Sequence, residues 1–306
     1  MIRSTFTKDS TAEDVTQGID LTGKNIVITG VNSGLGQESM RVLASRGAHI
    51  IGTARTMEKA KAAASEIEGK VTPLACELSD FKSVQSCAQA IKALDIPIDV
   101  LICNAGIMAL PKLELANGFE QQFTTNHLGH FILVHSLVDS VKRAEQGRIV
   151  MLSSLSHKMA PKGGILFDNL DGSRWYKDWP FYGQSKLANL LTAVSLSKRL
   201  EGSNATANAI HPGVIRTNLS RSMGGVQGFV FNNPLTGWVV GKVIGSKTVP
   251  QGAATQCYVA TAPELAQVSG KYFADSNEER PSRYGQDEAL AEKLWDFSCE
   301  AVKEYL

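Results

Sequence analysis

A tyrosine and a lysine four residues apart, in the run Tyr182-Gly183-Gln184-Ser185-Lys186, are the side chains here best suited to moving a proton. On a helix the i,i+4 spacing puts phenol and ammonium on one face. A free tyrosine ionises at about pH 10, and a fixed cation beside it favours phenolate, toward a range useful for general acid–base catalysis. Such pairs occur on many exposed helices, so the motif gains weight only beside a second chemical feature. That feature is Thr29-Gly30-Val31-Asn32-Ser33-Gly34-Leu35-Gly36, which follows an apolar run and opens a helical pattern. Without Cβ atoms a strand-to-helix turn can tighten and approach a pyrophosphate, whose charge the helix N-terminus favours. Gly30, Asn32, Ser33, Gly34, Leu35 and Gly36 are therefore read as cofactor-binding.

The next apolar run ends Gly52-Thr53-Ala54-Arg55-Thr56. A site selective for NAD would place an acid here to accept from the adenosine ribose 2′-hydroxyl. Arg55 can instead form a charge-assisted, bidentate bond to a 2′-phosphate, so NADP(H) is the expected cofactor.

Positioning these groups requires parallel strands joined by crossover helices. From Lys24 onward, short β-rich runs alternate with helical patterns, the sequence form of repeated βαβ units. Strands are expected at Asn25–Thr29, His49–Thr53, Val71–Ala75, Val100–Cys103, Arg148–Leu152, Thr206–Ile210 and Lys271–Phe273. Helices are expected at Gly34–Arg46, Met57–Ile67, Phe81–Leu94, Asn117–Val141, Tyr182–Leu200, Pro250–Thr261 and Glu288–Val302. The pattern predicts one domain over 1–306: a doubly wound Rossmann fold with a seven-stranded parallel sheet flanked by helices. Residues 1–20 form an N-terminal extension. Two Gly-, Pro- and aromatic-rich insertions, Ser156–Pro180 and Ser220–Lys247, fall beyond carboxyl ends of strands, where open α/β sheets bind ligands. The second is read as a substrate lid with an apolar inner face.

Composition narrows the function classes. A net charge of +1 gives no general attraction to nucleic acid or an anionic membrane, and no stretch is long and apolar enough to span a bilayer. The five cysteines are odd in number and form no C-x-x-C or zinc pattern, which fits a reducing compartment, read as the cytoplasm. Cys76 and Cys103 are expected as small buried hydrophobes, and His127, His130 and His211 as satisfied packing residues. No metal site is expected. A homo-oligomer is compatible with the sequence.

With its motifs in this order, the chain resembles the short-chain dehydrogenase/reductase family. Beyond the two motifs above it has Cys103-Asn104-Ala105-Gly106, Thr125-Asn126-His127, Ser153-Ser154 and His211-Pro212-Gly213-Val214-Ile215-Arg216-Thr217. Within the family it resembles the branch holding retinol dehydrogenases, WW-domain oxidoreductase and the chloroplast-envelope translocon dehydrogenase, through runs such as Asn126-His127-Leu128-Gly129-His130-Phe131 and Val268-Ser269-Gly270-Lys271-Tyr272-Phe273.

The resemblance implies a catalytic tetrad of Asn126, Ser154, Tyr182 and Lys186. Ser154 would hydrogen-bond the substrate oxygen and Tyr182 would protonate it. Lys186 would hold the nicotinamide ribose, and Asn126 a local helix break with a water leading to Lys186. Cofactor contacts would come from Asn104, Ala105, Gly106, Tyr182, Lys186, Pro212, Gly213, Val214 and Thr217. Glu77 and Leu78 stand where the family usually has Asp-Leu near adenine. The implied activity is hydride exchange between NADP(H) and a ketone, aldehyde or alcohol, with a hydrophobic substrate. A second expectation, from the translocon-like relatives, is an NADP(H)-binding redox-sensing scaffold. An ATP- or nucleic-acid-binding module lacks its P-loop lysine and basic face.

Overall fold

Residues Asn25–Thr29 read Asn-Ile-Val-Ile-Thr, and their side chains divide between two cores: Ile26 and Ile28 pack on one side of the sheet, Val27 on the other. Val100 and Ile102 likewise face one core while Leu101 and Cys103 face the other. Strands buried on both faces need helices on both sides, and that demand explains their continuous apolar runs. The computed structural model describes residues 1–215 and 246–306.

In chain order the strands are β1 (Asn25–Thr29), β2 (His49–Ala54), β3 (Val71–Ala75), β4 (Val100–Cys103), β5 (Leu115–Ala116), β6 (Phe119–Glu120), β7 (Gly147–Leu152), β8 (Ala205–His211), β9 (Tyr272–Ala274) and β10 (Asn277–Glu278). Among the described residues one sheet runs β10-β9-β8-β7-β4-β1-β2-β3. The seven expected strands are present and parallel. An eighth, β10, adds antiparallel to β9 at the edge, so the sheet is mixed rather than purely parallel. It is too short to carry a periodic signal, and the N-terminal extension helps hold it: the Ile2 N–H donates to Glu278 at 2.7 Å and the Ser4 N–H to Asn277 Oδ1 at 2.9 Å.

The helices are α1 (Ala12–Val15), α2 (Gly34–Ser45), α3 (Met57–Ser65), α4 (Phe81–Lys92), α5 (Gln121–Phe123), α6 (Gly129–Lys142), α7 (Asp178–Arg199), α8 (Val249–Thr261) and α9 (Glu288–Ala301). α1, α2 and α8 cover one face of the sheet, and α4, α6, α7 and α9 the other. Their starts are chemically marked. Thr56 accepts from the Lys59 N–H, Asp80 from the Lys82 and Ser83 N–H groups, and Thr248 forms a reciprocal capping box with Gln251.

The single helix expected over Asn117–Val141 is not one helix. Asn117 and Gly118, with φ of 51° and 81°, turn the β5–β6 hairpin. An Asn-Gly pair in left-handed conformation is the favoured two-residue hairpin turn, and this local chemistry overrides the helical periodicity around it. α5 then passes into a π-helical turn, Thr124–Leu128, before α6. The break implied at Asn126 is that turn. Among the described residues no helix is long and apolar enough to cross a membrane.

Candidate active site

The glycine turn between β1 and α2 is tight because its backbone is in contact with itself and with the exit of β4. A Cβ on Gly30, whose φ is +75°, would sit 2.9 Å from Ala105 Cβ, and one on Gly36 would run into the Gly30 carbonyl oxygen. Only hydrogen fits at either position. Ser33, at the N-cap of α2, makes no side-chain capping bond, so the first-turn amides are left for an anion.

Thr29 ties this turn to the β4 exit. Its hydroxyl accepts the N–H groups of Asn104 at 2.9 Å and Ala105 at 3.0 Å, and it lies 2.9 Å from His130 Nε2. Two accepted bonds use both lone pairs, so the hydroxyl proton goes to Nε2. The His130 proton is then on Nδ1, which donates to the Asn126 carbonyl at 2.9 Å. Burial pushes this imidazole down to about 4, which keeps it neutral, and the two hydrogen bonds fix its tautomer. Asn104 Nδ2 also donates to the Thr29 carbonyl at 2.8 Å, while its Oδ1 is buried without a partner, as an acceptor reserved for a ligand would be. Thr29→Val keeps the shape and takes the partner from the Ala105 N–H and from His130 Nε2, while the Asn104 N–H keeps its bond to the Ile102 carbonyl at 3.1 Å. A loss of about 2 kcal/mol in unfolding free energy is expected by urea denaturation, against near zero if the hydroxyl were incidental.

The β4 exit joins the glycine turn to Asn126 and Lys186. Ala105 packs on Gly30, and a Cβ on Gly106 would lie 2.9 Å from Asn126 Oδ1 and 3.4 Å from Lys186 Nζ. Asn126 clips the exit to α7: Oδ1 accepts the Ile107 N–H at 2.8 Å, and Nδ2 donates to the Ile107 carbonyl and to Ser185 Oγ, both at 2.9 Å. Ser185 in turn donates to the Tyr182 carbonyl at 2.8 Å.

Ser154 follows β7 and caps the 3₁₀ turn Leu155–Met159, its hydroxyl accepting the Ser156 N–H at 3.1 Å. α7 reaches this turn at Gly183, where a Cβ would be 2.5 Å from the Ser156 carbonyl oxygen. The approach sets the Tyr182 phenol beside the Ser154 hydroxyl. Asn126, Ser154, Tyr182 and Lys186 thus form one connected cluster with the β4 exit.

Its electrostatics differ from the expected ones. Burial pushes the Tyr182 phenol up to about 12, with the Ser154 hydrogen bond pulling the other way. Lys186 does not drive it toward phenolate. Nζ lies 5.8 Å from the ring centroid, donates to the Leu152 carbonyl at 3.1 Å, and is itself pushed down to about 8 by burial. Desolvation outweighs the Coulombic attraction of the pair.

Other expected residues sit as follows. Arg55 is exposed immediately after β2, and no described residue pairs with it. The Glu77 carboxylate turns back to accept from the Ser79 N–H at 3.2 Å and the Ser79 hydroxyl at 2.9 Å, and Leu78 is buried in the core. Pro212, Gly213 and Val214 follow β8, where the Lys247 N–H donates to the Val214 carbonyl at 2.8 Å. Thr217 and the lid, apart from its last two residues, lie outside the described residues. Cys76 and Cys103 are buried in the core and free, as expected. His127 donates from Nε2 to Ser298 Oγ at 2.8 Å and burial pushes it down to about 3, so it packs as a neutral ring, but its buried Nδ1 has no partner among the described residues and the ring is only half satisfied, against expectation. The role of Thr29 was missed because a threonine before a glycine turn carries no periodic or charge signal.

Comparison with known proteins agrees with this arrangement. The family model described as short chain dehydrogenase matches residues 24–168. The chain is 43% identical to short-chain dehydrogenase TIC 32 A, chloroplastic, from Brassica napus, over 98% of this chain and 95% of that protein. It is 40% identical to human retinol dehydrogenase 13, over 92% of this chain and 85% of that one. Among solved structures, an uncharacterized protein from Mycobacterium paratuberculosis is 31% identical with a TM-score of 0.74, covering 94% of this chain and 97% of that chain. An NADP complex of Pseudomonas aeruginosa RhlG, 21% identical over 83% of this chain and 95% of that chain, shares the fold with a TM-score of 0.65. Both the site and these relatives make the chain a member of the short-chain dehydrogenase family of oxidoreductases.

Proposed function

We propose that this protein is an NADP(H)-dependent oxidoreductase interconverting a hydrophobic ketone or aldehyde and its alcohol, with Asn126, Ser154, Tyr182 and Lys186 as its catalytic residues. The observation that carries the reading is the buried Tyr182 phenol, set beside Ser154 where α7 meets the Leu155–Met159 turn and held protonated far above neutral pH. A phenol in that state is a proton donor, the form that carbonyl reduction requires.

The residues present fit a dinucleotide. Gly30 and Gly36 leave room where a Cβ would clash, Asn104 Oδ1 is an unpaired buried acceptor, and Arg55 is an exposed cation at the end of β2. Gly30, Asn32, Ser33, Gly34, Leu35 and Gly36 would hold the pyrophosphate, Arg55 the 2′-phosphate, and Glu77 and Leu78 would border the adenine. Asn104, Ala105, Gly106, Tyr182, Lys186, Pro212, Gly213, Val214 and Thr217 would border the nicotinamide half. When bound, the cofactor supplies the hydride. Ser154 Oγ would orient the substrate oxygen by a hydrogen bond, Tyr182 would give it the proton, and Lys186, one helical turn on, would hold the ribose hydroxyls.

The expectation of a hydrophobic substrate is supported by side chains next to these groups. Leu155 and Met159, beside Ser154, are each 48% exposed, and Val214 is 40% exposed. The Trp179 ring stands edge-on to Tyr182 at 6.0 Å. A reducing location such as the cytoplasm is consistent with the free thiols.

Cofactor choice gives a direct test. In a fluorescence titration NADPH should bind more tightly than NADH, by roughly ten- to a hundredfold for one charge-assisted contact. Arg55→Ala should remove most of that preference by weakening NADPH alone. An equal loss for both cofactors would show that Arg55 does not read the phosphate.

A further inference from the structure

We propose that His157 and His211 are positioning residues that clamp the peptide unit between Ser154 and Leu155 and so aim the Ser154 hydroxyl at the substrate oxygen, a role that rests on the assignment of Ser154 above. The two ends of that peptide unit go to two different imidazoles, and the carbonyl also accepts the His157 backbone N–H at 3.1 Å. His157 Nδ1 lies 2.6 Å from the Ser154 carbonyl oxygen, and the Leu155 N–H donates to His211 Nδ1 at 3.1 Å.

Backbone donors fix the proton on each ring. The Ser282 N–H donates to His157 Nε2 at 3.0 Å, so Nε2 carries a lone pair and the proton is on Nδ1, where it bonds the Ser154 carbonyl. His211 must be the opposite tautomer: Nδ1 accepts, so its proton is on Nε2. Both rings therefore act as neutral bases. Burial lowers the proton affinity of each, His211 to about 4, with Lys247 and Lys158 adding to the effect there and Asp275 opposing it. Lys158 also lowers His157, whose other close neighbour is the Tyr272 ring, edge-on at 5.1 Å.

A peptide unit is planar, so holding its carbonyl and its N–H fixes the plane and with it ψ of Ser154. The side chain leaves the same Cα, and its hydroxyl already accepts the Ser156 N–H at 3.1 Å. The anchors come from separate parts of the chain: His157 from the 3₁₀ turn, bonded onward to the loop at Ser282, and His211 from the end of β8. A 3₁₀ turn closes without an imidazole. Two of opposite tautomer on one peptide unit are a specific device for direction.

The test has a spectroscopic arm and a kinetic arm, both on the full chain. Long-range proton–nitrogen NMR at neutral pH should show the proton on Nδ1 in His157 and on Nε2 in His211, the signals assigned by their loss in His157→Asn and His211→Asn. His157→Phe keeps a ring and removes both hydrogen bonds. On an accepted carbonyl substrate its kcat should fall by about ten- to a hundredfold, as misplacement of a reacting group does, with NADPH affinity unchanged. His157→Asn, whose amide N–H takes the place of Nδ1–H, should recover most of kcat. The opposite tautomer on either ring would overturn the clamp. So would wild-type kcat in His157→Phe, or an asparagine variant no better than phenylalanine. If the phenylalanine variant fails to fold, the tautomers and the asparagine variant still decide. If wild type turns over no carbonyl, the function reading fails while the tautomers judge the clamp.

Discussion

Tyr182→Phe is expected to lower carbonyl reduction by about 10²–10⁴-fold, the usual contribution of a positioned general acid, with NADPH affinity nearly unchanged. The substitution keeps the ring that Trp179 packs against at 6.0 Å and removes the phenolic hydroxyl beside Ser154. Because burial holds the phenol up at about 12, the wild-type donor stays loaded across neutral pH and should begin to fail only in strongly alkaline solution. Parallel assays of turnover and cofactor binding check both halves. Turnover close to wild type in Tyr182→Phe would remove Tyr182 as the acid.

Lys186→Met should separate activity from stability in opposite directions. The ammonium is 2% exposed, and burial lowers it from 10.5 to about 8. Between those values the unfolded chain binds the proton and the folded one does not, so this group makes stability rise with pH from about 8 to about 10.5. Below pH 8 the penalty is present in full, on the order of 3 kcal/mol. Methionine fills similar volume without the charge, and the Leu152 carbonyl keeps its bond from Asn189 Nδ2 at 3.0 Å. The variant should therefore gain about 1–3 kcal/mol at neutral pH and lose the alkaline rise, while turnover falls at least about 10²-fold and NADPH binds more weakly. Urea denaturation at neutral and alkaline pH, beside kinetics, measures both. A variant that is less stable and lacks any change in pH dependence would show that Lys186 is not held against a desolvation penalty.

Much of this was readable from spacing. The glycine turn, the Tyr182–Lys186 pair and the alternation of strand and helix point to the fold and to most of the cluster, because each follows from local backbone needs or helical geometry. What escaped the sequence depends on contacts between distant segments. Asn117-Gly118 carried a hairpin signal hidden inside a helical period. The Thr29–His130 bond joins residues 101 positions apart, and the His157–Ser282 bond residues 125 apart. The direction of the Tyr182 shift was misread for a related reason: the lysine spacing is visible in sequence, whereas the depth of burial that outweighs it is not.

The central claim is that this chain catalyses carbonyl reduction with NADPH. The most direct measurement follows NADPH consumption by the wild-type protein across a panel of hydrophobic aldehydes and ketones, with Tyr182→Phe as the paired control. Substrate-dependent oxidation of NADPH that is lost in the control is the predicted result. Tight NADPH binding with no oxidation on any carbonyl of the panel would contradict the claim and favour a cofactor-sensing scaffold.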